Sequence, residues 1–311
     1  MKSLKVNNLY VQYNFAALAL QNINFDISQG QILTVLAPLE SGKTSLIKSL
    51  AGLVKISRGE VFSSGKNITV LPIKDRNASV LYDDLGLFDS KTVFYNLMYP
   101  LKIRNVDSAI AQQKINEILQ EFELTSIKDI KIKKLSLQEK FEVALARLFV
   151  RESDYYLIDD PLYTFKDDLR AKMFEKMLPY LRKLSNLAPV VYATSSIEET
   201  KTLKDNVIIL NYGVQLQSGS LASITAKPKN VLTYRLFREN AIVEESHIYN
   251  GEKGLYLTIR DREILIEQDK LINAIYIDSC VLVCYTLDGN DIDIGSLLIF
   301  DKNSEKLIYF D

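Results

Sequence analysis

Gln31-Ile-Leu-Thr-Val-Leu36, followed by Ala37-Pro-Leu-Glu-Ser-Gly-Lys-Thr-Ser45 and then Leu46-Ile-Lys-Ser-Leu-Ala-Gly52, is the stretch on which the fold of this sequence turns. The first part is a continuous apolar run of strand length, the pattern of a strand buried on both faces. The last part places Leu46, Ile47 and Leu50 on one face of a helix, with Gly52 positioned to stop it. Between them lies a loop ending in Gly42-Lys43-Thr44. A strand, a tight loop and a helix N-terminus in that order aim successive backbone N–H groups at one point, which suits a phosphate chain. Ser41, Gly42 and Ser45 would then line the cradle, Lys43 would reach the β and γ phosphates of ATP, and the Thr44 hydroxyl would hold Mg²⁺. Ala37 stands where such loops usually have their first glycine, and Glu40 brings a negative charge close to the phosphates. An ordinary strand-to-helix loop is the competing reading.

Outward from this segment, Asn22–Ile27 alternates as a half-buried strand, and Ser28-Gln29-Gly30 turns the chain. Apolar residues at three-to-four spacing mark two later helices, one through Ala111, Ile115, Ile118, Leu119 and Phe122, the other through Leu137, Phe141, Ala144, Leu145 and Leu148. Tyr155–Asp160 is an apolar run that ends in acids, and Val190–Thr194 is β-branched and apolar; both read as central parallel strands. The alternation predicts an α/β domain, a sheet covered by helices, over residues 1–226. From Lys227 the helical period vanishes. Short strands are expected at Leu255–Ile259, Glu263–Ile266, Ala274–Ile277, Val281–Tyr285, Leu297–Phe300 and Leu307–Phe310, a small all-β domain over residues 227–311. At 311 residues the chain exceeds what one core usually supports, which agrees with two domains.

A net charge of -1 gives no electrostatic reason to expect a nucleic-acid partner. No apolar run approaches 18 residues and no charged-then-apolar leader is present, so a cytoplasmic protein without a membrane span is expected. Cys280 and Cys284 lie in an apolar strand without further ligands and read as core thiols rather than a zinc pair; His247 reads as a surface residue.

Several blocks fall in a recognisable order: Leu33 to Leu53, Lys74-Asp75-Arg76, Thr92-Val93-Phe94-Tyr95-Asn96, Val143-Ala144-Leu145-Ala146-Arg147, Ile158-Asp159-Asp160-Pro161-Leu162 and Ile299-Phe300-Asp301. In these the sequence resembles the ATP-binding subunits of ABC importers, those of the maltose and glycerol-3-phosphate type and the glycerol-importer pair with irregular motifs. The resemblance implies a P-loop nucleotide-binding domain with a mixed sheet and helices, followed by an OB-like domain. It also implies Mg-ATP as ligand, a sandwich dimer with a second ATPase subunit, and docking on integral-membrane permeases through a groove near residues 83 to 99. A solute-binding protein would act through the permeases, and the chain would sit peripherally on the inner face of the cell membrane.

The same resemblance assigns individual positions. Tyr13 matches the aromatic that stacks on adenine, although a core tyrosine is as good a reading. Asp159 would hold Mg²⁺ through water, a plain strand-end acid being the alternative. Asp160 stands where the family has a glutamate that polarises the attacking water, and its side chain is shorter by one bond of about 1.5 Å. Asp83 replaces a metal-binding glutamine, or forms a solvated turn with Asp84. Ser195 takes the place of a histidine that contacts the γ-phosphate, or caps the helix beginning near Ile197. Leu135-Ser136-Leu137-Gln138-Glu139 replaces the glycine-rich signature that meets the nucleotide of the opposite subunit. There Leu137 would crowd the approach and Glu139 would oppose phosphate, while Ser136 and Glu139 keep a capping box. Tyr163-Thr164-Phe165-Lys166 likewise departs from the family's small coupling loop. The alterations together predict weakened hydrolysis with a non-identical partner ATPase; the alternative is a structural or regulatory subunit that binds ATP without turning it over. A soluble P-loop kinase would need a lid and an acceptor site and fits the blocks poorly.

Overall fold

In the computed structural model of the chain the residues described are 1–13, 18–226, 229, 233, 236–237, 249–251, 254–259, 262–266, 281–284, 298–301 and 307–308. The chain divides into two units, Met1–Ser220 and Leu221–Asp311.

Strand formation in the first unit follows the apolar runs. Its strands are β1 (Ser3–Gln12), β2 (Leu18–Ser28), β3 (Ile32–Leu36), β4 (Arg58–Ser63), β5 (Lys66–Asn67), β6 (Ala78–Leu81), β7 (Tyr155–Asp159), β8 (Val190–Thr194), β9 (Asn206–Asn211) and β10 (Val214–Ser220). They form one sheet in the order β5-β4-β1-β2-β10-β9-β3-β8-β7-β6. Among themselves β9, β3, β8, β7 and β6 pair in parallel, whereas β9 pairs antiparallel with β10 and β1 pairs antiparallel with β2 and β4, so the sheet is mixed. Every residue of β3, β7 and β8 is buried, as continuous apolar runs require when both faces are covered. The helices are α1 (Lys43–Ala51), α2 (Val93–Lys102), α3 (Ser108–Glu121), α4 (Leu137–Arg147), α5 (Asp167–Leu187) and α6 (Ile197–Leu203).

The two-residue period of β7 decides where its acids go. Tyr156 and Ile158 join the core beneath α2, α3, α4 and α5, whereas Tyr155 and Leu157 join the core that holds Leu46, Ile47 and Leu50 of α1. Asp159 shares the parity of Tyr155 and Leu157 and therefore faces α1. That helix is fixed by burial of Leu46, Ile47 and Leu50, each contributing about 2 kcal/mol, with Ala51 buried beside them, and by its C-terminus. Gly52 stops it in the left-handed region at φ +83°, and the guanidinium of Arg76 donates to the carbonyls of Ser49 and Leu50 at 2.8 and 2.7 Å. A Cβ on Gly52 would come within 2.8 Å of Arg76 Nε.

The second unit begins with helix α7 (Leu221–Ala226) and contains β11 (Tyr249–Gly251), β12 (Gly254–Ile259) and β13 (Arg262–Ile266) in one antiparallel sheet, and β14 (Val281–Cys284), β15 (Leu298–Asp301) and β16 (Leu307–Ile308) in another. Five of the six strands expected from the sequence coincide with these. Residues 274–277, Cys280 and His247 lie outside the described residues, as does the side chain of Cys284.

Candidate functional site

The parallel strands β3, β8 and β7 end side by side, and the loops leaving them surround an open cleft of about 610 Å³. From β3 the chain makes the 37–42 loop and enters α1. Gly42 caps the helix at φ +97°, where a Cβ would lie 2.9 Å from the Ala19 carbonyl oxygen, so only glycine fits. Glu40 also has positive φ, +61°, a conformation that costs a side-chain-bearing residue about 1 kcal/mol. The Lys43 ammonium donates to the carbonyls of Ala37 and Pro38 at 2.8 and 2.9 Å. Burial lowers its pKa, and the negative charges of Asp160 and Asp159 partly offset this. Ser41 is buried and its carbonyl accepts from Gly213 N–H at 3.1 Å. The Tyr13 hydroxyl and Ser45 Oγ are 3.2 Å apart. Tyr13 is 41% exposed, which overturns its reading as a core tyrosine and leaves the ring open beside α1.

Thr44 Oγ1 donates to Asp159 Oδ1 at 3.3 Å, as the parity of β7 requires. Asp159 is only 1% exposed, and its Oδ2 has no hydrogen-bond partner. Desolvation raises its pKa to about 6; the Thr44 bond and Lys43 pull it down, while Asp83 and Asp160 push it further up. A buried carboxylate oxygen without a donor, beside a threonine hydroxyl and an opening lined by Asp83, is the donor set a hard oxygen-seeking cation needs, so these residues fit Mg²⁺. Asp83 is exposed, and its Oδ1 accepts from Asp84 N–H at 2.9 Å.

Asp160, the first residue beyond β7, has φ +40°. Its Oδ1 accepts from Arg170 Nη2 at 2.9 Å and its Oδ2 from Ser195 Oγ at 3.1 Å. Arg170, in the first turns of α5, also donates through Nε to Glu199 Oε1 at 2.7 Å and through Nη2 to Thr194 Oγ1 at 3.2 Å. Glu199 is buried and its Oε2 accepts from the Tyr192 hydroxyl at 2.7 Å and from Thr194 Oγ1. Burial works against the charge of Arg170, but Glu199 and Asp160 more than offset it and its pKa rises; Tyr192, wholly buried beside Glu199, is held neutral. Ser195 is thus a partner of Asp160. It is not the helix cap: Ser196 is, its side chain accepting from Glu199 N–H at 3.2 Å.

Residues 20–163 match the family described as ABC transporter. Over that span, a little under half of the chain, the sequence is similar to that family's ATP-binding domain. Solved structures agree in fold. CbiO1 of Clostridium perfringens, described as part of the ABC transporter complex cbiONQ, superposes with a TM-score of 0.62 at 22% identity, over 72% of this chain and 90% of its own. The ATP-binding cassette MJ0796, in a dimeric post-hydrolysis state bound to ADP and Pi, gives 0.60 at 22% identity over 70% of this chain and 98% of its own. An ATP-binding subunit of an ABC transporter gives 0.62 at 21% identity, over 72% of this chain and 92% of its own.

The 136–139 segment does not line the cleft. Ser136 caps α4, and Glu139 Oε2 accepts from both Ser136 N–H and Ser136 Oγ at 2.7 Å, so the capping box forms in full and holds the Glu139 pKa below its ordinary value. Leu137 is 41% exposed and does not join the buried face of α4 on which the periodicity had placed it; Gln138 is exposed too. Sequence reasoning missed Arg170, Glu199, Thr194 and Tyr192. It also missed Tyr212, which lines the cleft with 80% of its surface exposed, and it noted Tyr163, 50% exposed, only for its departure from the coupling loop and not as part of the cleft lining.

Proposed function

We propose that this chain is the ATP-binding subunit of an ABC importer, binding Mg-ATP to drive or gate uptake of a small solute. The observation that carries this is the Thr44–Asp159 pair at the mouth of α1, one buried carboxylate oxygen of which lacks a partner. Bound there, the magnesium ion would neutralise phosphate charge and tie the nucleotide to β7. Lys43 and the N–H groups of Gly42 to Ser45 would hold the phosphates, and the exposed ring of Tyr13 would take the base. Docking on a permease at the cytoplasmic face is supported by a second cleft, of about 570 Å³, whose lining includes Tyr82, Gly86, Phe88 and Tyr99, within and beside the expected 83–99 groove. Among the described residues no helix is long and apolar enough to cross a membrane. The sugar, polyol or glycerol-phosphate class of the solute, the OB-like nature of residues 227–311 and the indirect role of a solute-binding protein rest on the sequence resemblance.

A second reading, a subunit that binds ATP and never hydrolyses it, is favoured by the Asp160 geometry. Both oxygens of this carboxylate are engaged, one by a guanidinium, and a group so held is a poor acceptor for a proton from water. Pairing with a non-identical, more regular ATPase is consistent with either reading. ATPase activity of the purified transporter, with Lys43→Ala or Asp160→Asn in this chain alone, separates them. Loss of turnover in both variants supports hydrolysis at this chain; unchanged turnover in Asp160→Asn with collapse in Lys43→Ala supports binding alone; indifference to both sinks the ATP-binding assignment.

A further inference from the structure

The cleft carries more negative charge than phosphate binding needs. Glu40, Asp83, Asp159 and Asp160 line it, and Lys43 is the one cationic side chain among its described lining residues. Arg170 answers Asp160. Among the described residues no ion pair reaches Glu40, Asp83 or Asp159. The Lys43 ammonium is held instead by two loop carbonyls. Asp159 is 1% exposed with Oδ2 unpartnered, and the backbone bond to Asp83 Oδ1 leaves its second oxygen available at the cleft. A triphosphate approaching this opening alone meets three unanswered carboxylates. A divalent cation meets the opposite field and finds oxygen donors from three chain segments, at Thr44, Asp83 and Asp159.

We propose that Asp83 and Asp159, with the Thr44 hydroxyl, hold a divalent cation before nucleotide arrives, so that the site fills metal first and the triphosphate binds onto an ion already in place. This rests on the Mg-ATP reading above and adds an order of binding to it. Glu40 enforces the order, because its charge opposes free nucleotide more than it opposes the metal complex.

The test is a Mn²⁺ titration of the full chain without nucleotide, followed by electron paramagnetic resonance of the free ion, with ATP binding measured in parallel. One Mn²⁺ should bind with a dissociation constant on the order of 0.1 mM, in the range of few-carboxylate sites. Removing one carboxylate charge by Asp83→Asn or Asp159→Asn should weaken it about tenfold. Asp83 is exposed, so its variant carries the test should the Asp159 one fail to fold. Lys43→Ala should tighten Mn²⁺ by about twofold through loss of a like charge while abolishing ATP binding. Mn²⁺ uptake only once ATP is present, or uptake indifferent to Asp83→Asn, overturns the metal-first order and leaves Mg-ATP binding standing. Uptake of Mn²⁺ without any binding of ATP would do the reverse, keeping the cation site and defeating the nucleotide reading.

Discussion

The two walls of the cleft are built from consecutive residues and finished in contrasting ways. On the α1 side, Asp159 has a hydroxyl on one oxygen, nothing on the other and no cation near enough to pair. On the α5 side, Asp160 has a guanidinium on one oxygen and a hydroxyl on the other. The first is left open, with a carboxylate oxygen that has no partner. The second is closed upon itself, and the closure runs on through Arg170 to Glu199, Thr194 and Tyr192. The difference teaches that equal charge and equal burial do not give equal function: what matters is which oxygens still need a partner.

The contrast breaks most sharply at Lys43. Lys43→Ala should weaken ATP binding by at least about a hundredfold, since a buried cation that meets phosphate directly is lost; titration with a fluorescent ATP analogue reads it, and near-wild-type affinity would mean that the open wall is not a phosphate site. Next in size is Arg170→Met, which strands the buried carboxylates of Asp160 and Glu199 and should cost about 3 kcal/mol of stability. Denaturant unfolding checks this, and a loss under about 1 kcal/mol would show that the closed wall is not held by its ion pairs.

Proton linkage sharpens the comparison further. Asp159 holds its proton to about pH 6 in the folded chain, whereas an unfolded aspartate does so only to about 4. The folded state therefore binds more protons between those values, and the stability of the metal-free chain should fall as pH rises through that window. Cation binding needs the ionised group, so Mg²⁺ or Mn²⁺ affinity should climb about tenfold from pH 5 to pH 7 and flatten above. The smallest effect is expected from Glu40→Gly. It relieves the positive φ and removes a carboxylate, adding about 1 kcal/mol of stability and tightening ATP a few-fold.

Much of the open wall was legible in the sequence, because it depends on neighbours in the chain. The strand–loop–helix order placed Gly42, Lys43 and Thr44, and a run that ends in an acid placed Asp159. The closed wall was not legible, since Arg170 meets Glu199 across 29 positions and two helices. A local signal even pointed elsewhere. Ser-x-x-Glu occurs both at Ser136–Glu139 and at Ser196–Glu199. In the first, exposed copy the glutamate returns to its own cap; in the second, buried copy the serine still caps, but the carboxylate is drawn off by Arg170, Tyr192 and Thr194. Desolvation decides between the two, and desolvation is a tertiary property. Assigning the cap to Ser195 failed by one residue for the same reason: its hydroxyl goes to Asp160.

Helix α4 gives the Asp83 turn a longer reach. Its far end is knotted by Ser136 and Glu139, and its near end carries Arg147, whose guanidinium grips the carbonyls of Leu85 and Gly86 at 2.8 and 2.6 Å, just beyond Asp83. Eleven helical residues make a rod about 16 Å long. Through Arg147 and its own cap, α4 therefore joins the turn that follows Asp83 to the exposed Ser136–Glu139 corner by one continuous helix, so two surface features far apart in the sequence share a single rigid support.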